Sequence, residues 1–283
     1  MSARPLARRE LRDAIRRWWF LVNAGVFAVA GALFILFGQN DAMLLGQRGY
    51  ARALAGLMQL GLVFVPLMAL VPSLAAIAGE REAGTLDYLL AQPVTRSGVY
   101  RAKWAGVVAA VVLSLTAGLS VTMAIATARG VPAAPAAGLV ACTALLAAAF
   151  VSIGMWISAL TCSRTRATSF GLTLWLALLG LGSLGVISAF VRWGLPPRLL
   201  EGWSIVNPIE AYRLATLAIL DPDLQVLGPV GASLLDALGR EGLIAASAGS
   251  IAAWTAVCFA GGLTAFARSA RRGRTAVRPA LRP

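Results

Sequence analysis

Six stretches of the chain contain no Asp, Glu, Lys or Arg: Trp18 to Phe37, Leu54 to Ala78, Ala105 to Ala128, Gly138 to Leu160, Ser169 to Val191 and Leu243 to Ala267. Each is close to or above the ~20 apolar residues that carry a helix across a ~30 Å hydrocarbon core, where a helix bonds all of its own backbone groups. The pattern predicts an all-α membrane protein with six transmembrane helices. Polar positions gather in short connectors and in two longer segments, 79–104 and 192–242, and a basic tail covers 268–283. No off-membrane stretch is long enough for an independent domain, so residues 1–283 read as a single transmembrane domain. The first run follows a basic lead-in but exceeds the ~7–15 residues of a signal-peptide core, which makes it an uncleaved span.

Composition agrees. The 283 residues are 59% hydrophobic and 13% charged, about half of the ~25% charge that coats a soluble domain. The net charge of +13 is unevenly placed. With the N-terminus inside, segments 1–17, 79–104, 161–168 and 268–283 hold 18 of the 25 basic residues, while the outer segments 38–53, 129–137 and 192–242 hold 7. Acidic residues divide 5 inside and 7 outside, so the outer side balances to zero. The positive-inside rule then puts both termini in the cytoplasm. Arginine-rich flanks of spans are the ordinary source of such basicity, so no nucleic-acid partner is inferred.

Several chemistries are excluded. Without His there is no Ser-His-Asp triad and no HExxH zinc site. The only lysine, Lys103, lies in Ala102-Lys103-Trp104 and not in a phosphate-binding loop, so this chain does not bind ATP by that route. Cys142, Cys162 and Cys258 have no CxxC spacing, which argues against a zinc site or a disulfide framework. No catalytic residue, metal ligand or bound cofactor is assigned. None of the six runs carries an ionisable residue, which argues against proton or sodium coupling at mid-depth. A separate ATPase is the economical source of energy.

Three segments carry further information. In the loop after the second span, Thr85 can cap a short helix with Asp87 in its first turn, and Pro93 ends it. Leu86, Leu89 and Leu90 share one face of that helix. At about seven residues it is far below the ~12–15 needed for marginal stability alone, so the leucine face must dock on something. The candidates are the lipid interface, the chain's own inner surface, or a cleft in a cytoplasmic ATPase with Glu80 and Glu82 at its entrance. At the N-terminus, Leu11, Ala14, Ile15 and Trp18 form an apolar stripe opposite Arg9 and Arg12, the pattern of a helix in the membrane plane and equally of a simple topology anchor. In the outer segment, Asn207 can cap a helix with Pro208 first and Glu210 third, a variant of the capping box, which Asp221-Pro222 stops. Its polar positions are chiefly Glu210, Tyr212, Arg213 and Thr216, so it should half-enter the outer leaflet, cover an external mouth, or bind an extracytoplasmic partner. A short amphipathic piece, Ser233 to Leu238, follows a Gly228-Pro229 turn.

The loop string Gly-Glu-Arg-Glu-Ala-Gly-Thr-Leu-Asp-Tyr-Leu-Leu-Ala-Gln-Pro-Val-Thr-Arg, with Lys103 before the next span, resembles the signature of ABC-2 type permeases. Glu80, Gly84, Thr85, Leu86, Leu89, Leu90, Pro93 and Arg96 match its Glu-x-x-x-Gly-Thr-Leu-x-x-Leu-Leu-x-x-Pro-x-x-Arg pattern. The resemblance implies a homodimeric membrane subunit of the bacterial plasma (inner) membrane. It would be coupled through this loop to two ATPase subunits, which bind the ATP and Mg. The N-terminal helix would touch the ATPase as well. Within the family, the Arg-Arg-Glu-Leu-Arg-Asp opening, the Asn207-Pro208-x-Glu210-x-Tyr212-Arg213 string and the Gly228-Pro229 turn are similar to NosY-type permeases, which implies service to copper-site maturation of nitrous oxide reductase and a periplasmic partner. A drug, lipid or small-molecule exporter stays open, as do an intramembrane lipid-modifying enzyme and a non-transporting scaffold.

Overall fold

The computed structural model describes residues 18–38, 49–91, 95–128, 132–180, 197–220 and 228–276. Over these residues the chain is all-helical: α1 Trp18–Gly38, α2 Gly49–Glu82, α3 Thr85–Ala91, α4 Arg96–Ala128, α5 Ala133–Leu160, α6 Arg164–Gly180, α7 Pro197–Val206, α8 Pro208–Leu220 and α9 Gly228–Ala276. Four helices among the described residues are long and apolar enough to cross a membrane, within 54–82, 96–128, 133–160 and 231–268. A shorter apolar helical stretch, Leu21–Leu36, lies in α1. The start of the predicted fifth span is α6, and its second half lies outside the described residues.

The helices outrun the charge-free runs. α4 begins at Arg96 rather than near Ala105, and α2 continues to Glu82 with Pro66 and Pro72 inside it. The predicted piece Ser233 to Leu238 is helical and is joined to the last span in α9, with a break at Gly239, whose φ of 69° suits only a residue without Cβ.

Helix α5 sits at the centre, packed against α2, α4, α6, α8 and α9. Water-driven burial does not operate between helices in lipid, so close approach of small residues and interhelical hydrogen bonds hold such a bundle. The α2/α5 seam shows both. Gly154 lies where a Cβ would collide with Ser73. One turn on, the buried Ser158 hydroxyl donates to the Leu74 carbonyl (2.8 Å) and accepts from the amides of Ile77 (3.1 Å) and Ala78 (2.8 Å). On the other flank α1 lies along α4, where Gly118 faces the Ala24 carbonyl and Thr122 donates to the Phe27 carbonyl at 3.0 Å. Trp104 of α4 donates to Ser152 of α5 at 2.9 Å.

Contacts order the bundle along its axis. The ends of α2 and α5, the starts of α4 and α6, and the last turns of α9 near Phe266 gather at one end, here termed the loop end, with α3.

Candidate functional site

At the loop end, α2 stops because Gly84 takes the left-handed conformation (φ 69°), with Ala83 N–H bonded to Gly79 O at 3.0 Å. This is the glycine C-cap that satisfies the last carbonyls of a helix. Thr85 then opens α3. Its hydroxyl donates back to the Glu80 carbonyl at 3.3 Å, so it closes α2 and is not the side-chain acceptor expected at the start of α3. The acceptor cap in this loop is Thr95, whose Oγ1 receives Gly98 N–H at 3.2 Å and starts α4.

The three residues that end α2 hold three different helices. Lys103, buried in α4, meets Glu80 Oε1 at 2.6 Å. The Arg81 guanidinium donates to the Ala159 and Thr161 carbonyls at the end of α5. Glu82 Oε2 accepts the Arg164 N–H at 2.8 Å, which places a carboxylate on the first turn of α6, where the helix dipole favours it. Sequence reasoning offered Glu80 and Glu82 for contacts outside the chain; here both carboxylates bind within it. The signal available beforehand was the lone lysine at the start of one long helix and Glu80 near the end of its neighbour.

Within α3, Leu86 is 6% exposed and belongs to the chain's own core, while Tyr88 is 80% exposed. Leu89 and Leu90 lie on the same short helix. Pro93 lies outside the described residues, and Arg96 opens α4, half-buried. Arg9, Leu11, Arg12 and Ile15 also lie outside them, and Trp18 is the first residue of α1.

The Asn207 segment differs most from expectation. α7 and α8 form a tight hairpin hinged at Asn207, and α8 packs among α2, α5 and α9 rather than on an outer surface. All of α8 is buried except Arg213 and Ile219, which are half-buried. Asn207 caps as predicted, its Oδ1 accepting Ile209 N–H at 3.0 Å, while its Nδ2 donates to the Leu178 carbonyl of α6 at 2.8 Å. Asn207 N–H is bonded to Trp203 O at 2.8 Å, and the Glu210 carboxylate pairs with Arg213 at 3.1 Å. Tyr212, fully buried, shares a 3.2 Å hydrogen bond with Thr143 of α5. Trp254 of α9 donates to the Val206 carbonyl (2.7 Å), and Arg240 donates to the Ala218 (2.7 Å) and Ile219 (3.2 Å) carbonyls that end α8. The charge-free runs therefore misdescribe the interior. Glu210, 3% exposed, and Arg213 enter the bundle on a helix that is not one of those runs.

An apolar groove of about 440 Å³ lies between α4 and α5, lined by Met123, Ala136, Val140 and Ala144 among others. Among the described residues no group of three or more His, Cys, Asp or Glu could hold a metal ion.

A helical bundle with long apolar helices, a short looped-out helix at one end and a buried helix, α8, before the last long helix defines a multi-pass membrane protein. Residues 4–271 match the model of the ABC-2 family transporter proteins, and the chain belongs to that family: it is an ABC-2 permease subunit of an ABC transporter. Its relatives include the probable ABC transporter permease protein NosY of Pseudomonas aeruginosa, 30% identical over 76% of this chain and 82% of the relative. The probable ABC transporter permease protein NosY of Stutzerimonas stutzeri is 27% identical over 75% and 80%.

Proposed function

We propose that this permease works in the plasma (inner) membrane as a homodimer with six spans per protomer and both termini cytoplasmic, and that two cytoplasmic ATPase subunits drive it through α3. The observation that carries this reading is the build of the loop end. A seven-residue helix, too short to persist alone, is anchored by buried Leu86 and presents Tyr88 outward. ATP and Mg belong to the partner subunits. Closure of the ATPases would press on the segment from Glu80 to Arg96 and switch the dimer between inward and outward access, exporting a cargo.

The likeness to the two NosY permeases supports a NosY-like role serving copper-site maturation of nitrous oxide reductase, with a periplasmic partner on the outer face. Burial of α8 leaves less surface for that partner than an exposed helix would, and α7 keeps Leu199 and Val206 exposed.

The test is co-purification with an ABC ATPase subunit co-expressed from the same genome. Tyr88→Glu should abolish capture while the permease stays monodisperse in detergent; undiminished capture refutes α3 as the coupling element. For the NosY-like role, loss of this gene from a denitrifying host should leave nitrous oxide reductase short of copper, and a fully loaded enzyme refutes it.

A further inference from the structure

We propose that Glu80, Arg81 and Glu82 are positioning residues that clamp the loop ends of α4, α5 and α6 to α2, so that displacement of α3 moves all four helices as one body. The inference rests on α3 being the coupling element and adds how its motion reaches the bundle. Three consecutive side chains on the last turn of α2 each engage a different helix: Lys103 of α4 at 2.6 Å, the carbonyl end of α5, and the first turn of α6 at 2.8 Å. One turn earlier, Ser158 of α5 binds the α2 backbone at Leu74, Ile77 and Ala78.

The chemistry suits a clamp better than an external contact. An arginine bridging two carbonyls at a helix end satisfies acceptors that the helix itself leaves open, and a carboxylate on a helix start satisfies a donor there. The Lys103 side chain is 3% exposed, so its charge is committed within the protein. Gly84 follows directly with its left-handed turn. The rigid knot and the start of α3 are thus separated by two residues, a short lever between an ATPase contact and the spans.

The experiment uses the full chain assembled with its ATPase. Spin labels are placed on exposed Cys162, in the α5/α6 turn, and on α4 through Arg101→Cys, with labelled protomers diluted among unlabelled ones. Pulsed electron resonance then reads the distance between them, nucleotide-free and ATP-trapped. The clamp predicts one narrow distance, the same in both states. Glu80→Gln with Arg81→Met should lose that single distance and lower transport-linked opening while ATP hydrolysis continues. Glu80→Lys alone should also broaden the distance, and Glu80→Lys with Lys103→Glu should narrow it again, which separates a clamp from general damage to the fold. A wild-type distance that changes with nucleotide, or an unaltered narrow distance in the Glu80→Gln/Arg81→Met variant, overturns the proposal. Failure of the ATPase to assemble with the wild type instead overturns the coupling reading, and the distance width in the permease alone still decides the clamp.

Discussion

Placement of α8 inside the bundle predicts a steric coupling between Gly61 of α2 and Tyr212. A Cβ on Gly61 would lie 2.6 Å from the Tyr212 hydroxyl oxygen and 3.3 Å from the ring carbon that bears it, and Tyr212 has no solvent-exposed surface into which to retreat. Overpacking of this kind costs about 1–3 kcal/mol, against which Gly→Ala inside a helix regains up to about 1 kcal/mol of propensity. Tyr212→Phe removes the colliding atom and one hydrogen bond to Thr143, worth about 1 kcal/mol. It strands no donor on Thr143, whose hydroxyl keeps the Leu139 carbonyl at 2.7 Å. The propensity gain cancels around the cycle and the ring carbon at 3.3 Å remains, so the double-mutant cycle should return a favourable coupling that is most of the about 1–3 kcal/mol overpacking cost, where independent sites add to within ~0.5. The assay is unfolding of the four proteins in one detergent, followed by a conformational probe and fitted for free energy. Additive effects would refute the packing of Tyr212 on α2 at Gly61.

Other consequences test the same hairpin and the loop end. Asn207→Asp should destabilise the protein more than Asn207→Ser, because a carboxylate keeps the cap but sets a charge against the Leu178 carbonyl; the difference should be at least about 1–3 kcal/mol in the same unfolding assay. Arg240→Gln should uncap α8, raising amide exchange selectively at residues 216–220 while the amides of α5 stay protected. Gly84→Ala forces a side chain into the left-handed region and should cost about 1–2 kcal/mol, with reduced ATPase capture that Gly84→Asn partly spares; equal capture by both variants would remove the link between this turn and the orientation of α3.

The long helices were legible because lipid excludes charge, and four of the six charge-free runs fall in helices long and apolar enough to cross a membrane. The same criterion marks the membrane rather than the helix, which is why α4 starts at Arg96 and α2 ends at Glu82, beyond the runs that announced them. It also hid α8. A helix with Glu210 and Arg213 fails a test for absent charge, yet the two side chains meet at 3.1 Å and enter the bundle as a neutral pair. Capping was legible at Asn207, where a local side chain meets a local amide. It was not at Glu82, where the donor lies on Arg164 across the fold. The leucines of α3 called for a docking partner, and for Leu86 that partner is this chain.

Internal use of the loop-end carboxylates alters what that face can offer to another protein. Glu80 and Glu82 are drawn to Lys103 and to the start of α6, whereas Arg101, Arg164 and Arg166 are exposed around them. Arg81 is bound inward as well, and Glu82 stays exposed while it accepts the Arg164 N–H, so this face presents exposed arginines beside an exposed carboxylate. If α3 meets an ATPase there, as proposed, the complementary cleft must admit an aromatic side chain at Tyr88. Charge would then govern encounter and register, while the apolar contact at Tyr88 would govern how long the complex lasts. On the proposed reading, a change at Tyr88 should alter partner binding without disturbing the contacts of Glu80, Arg81 and Glu82.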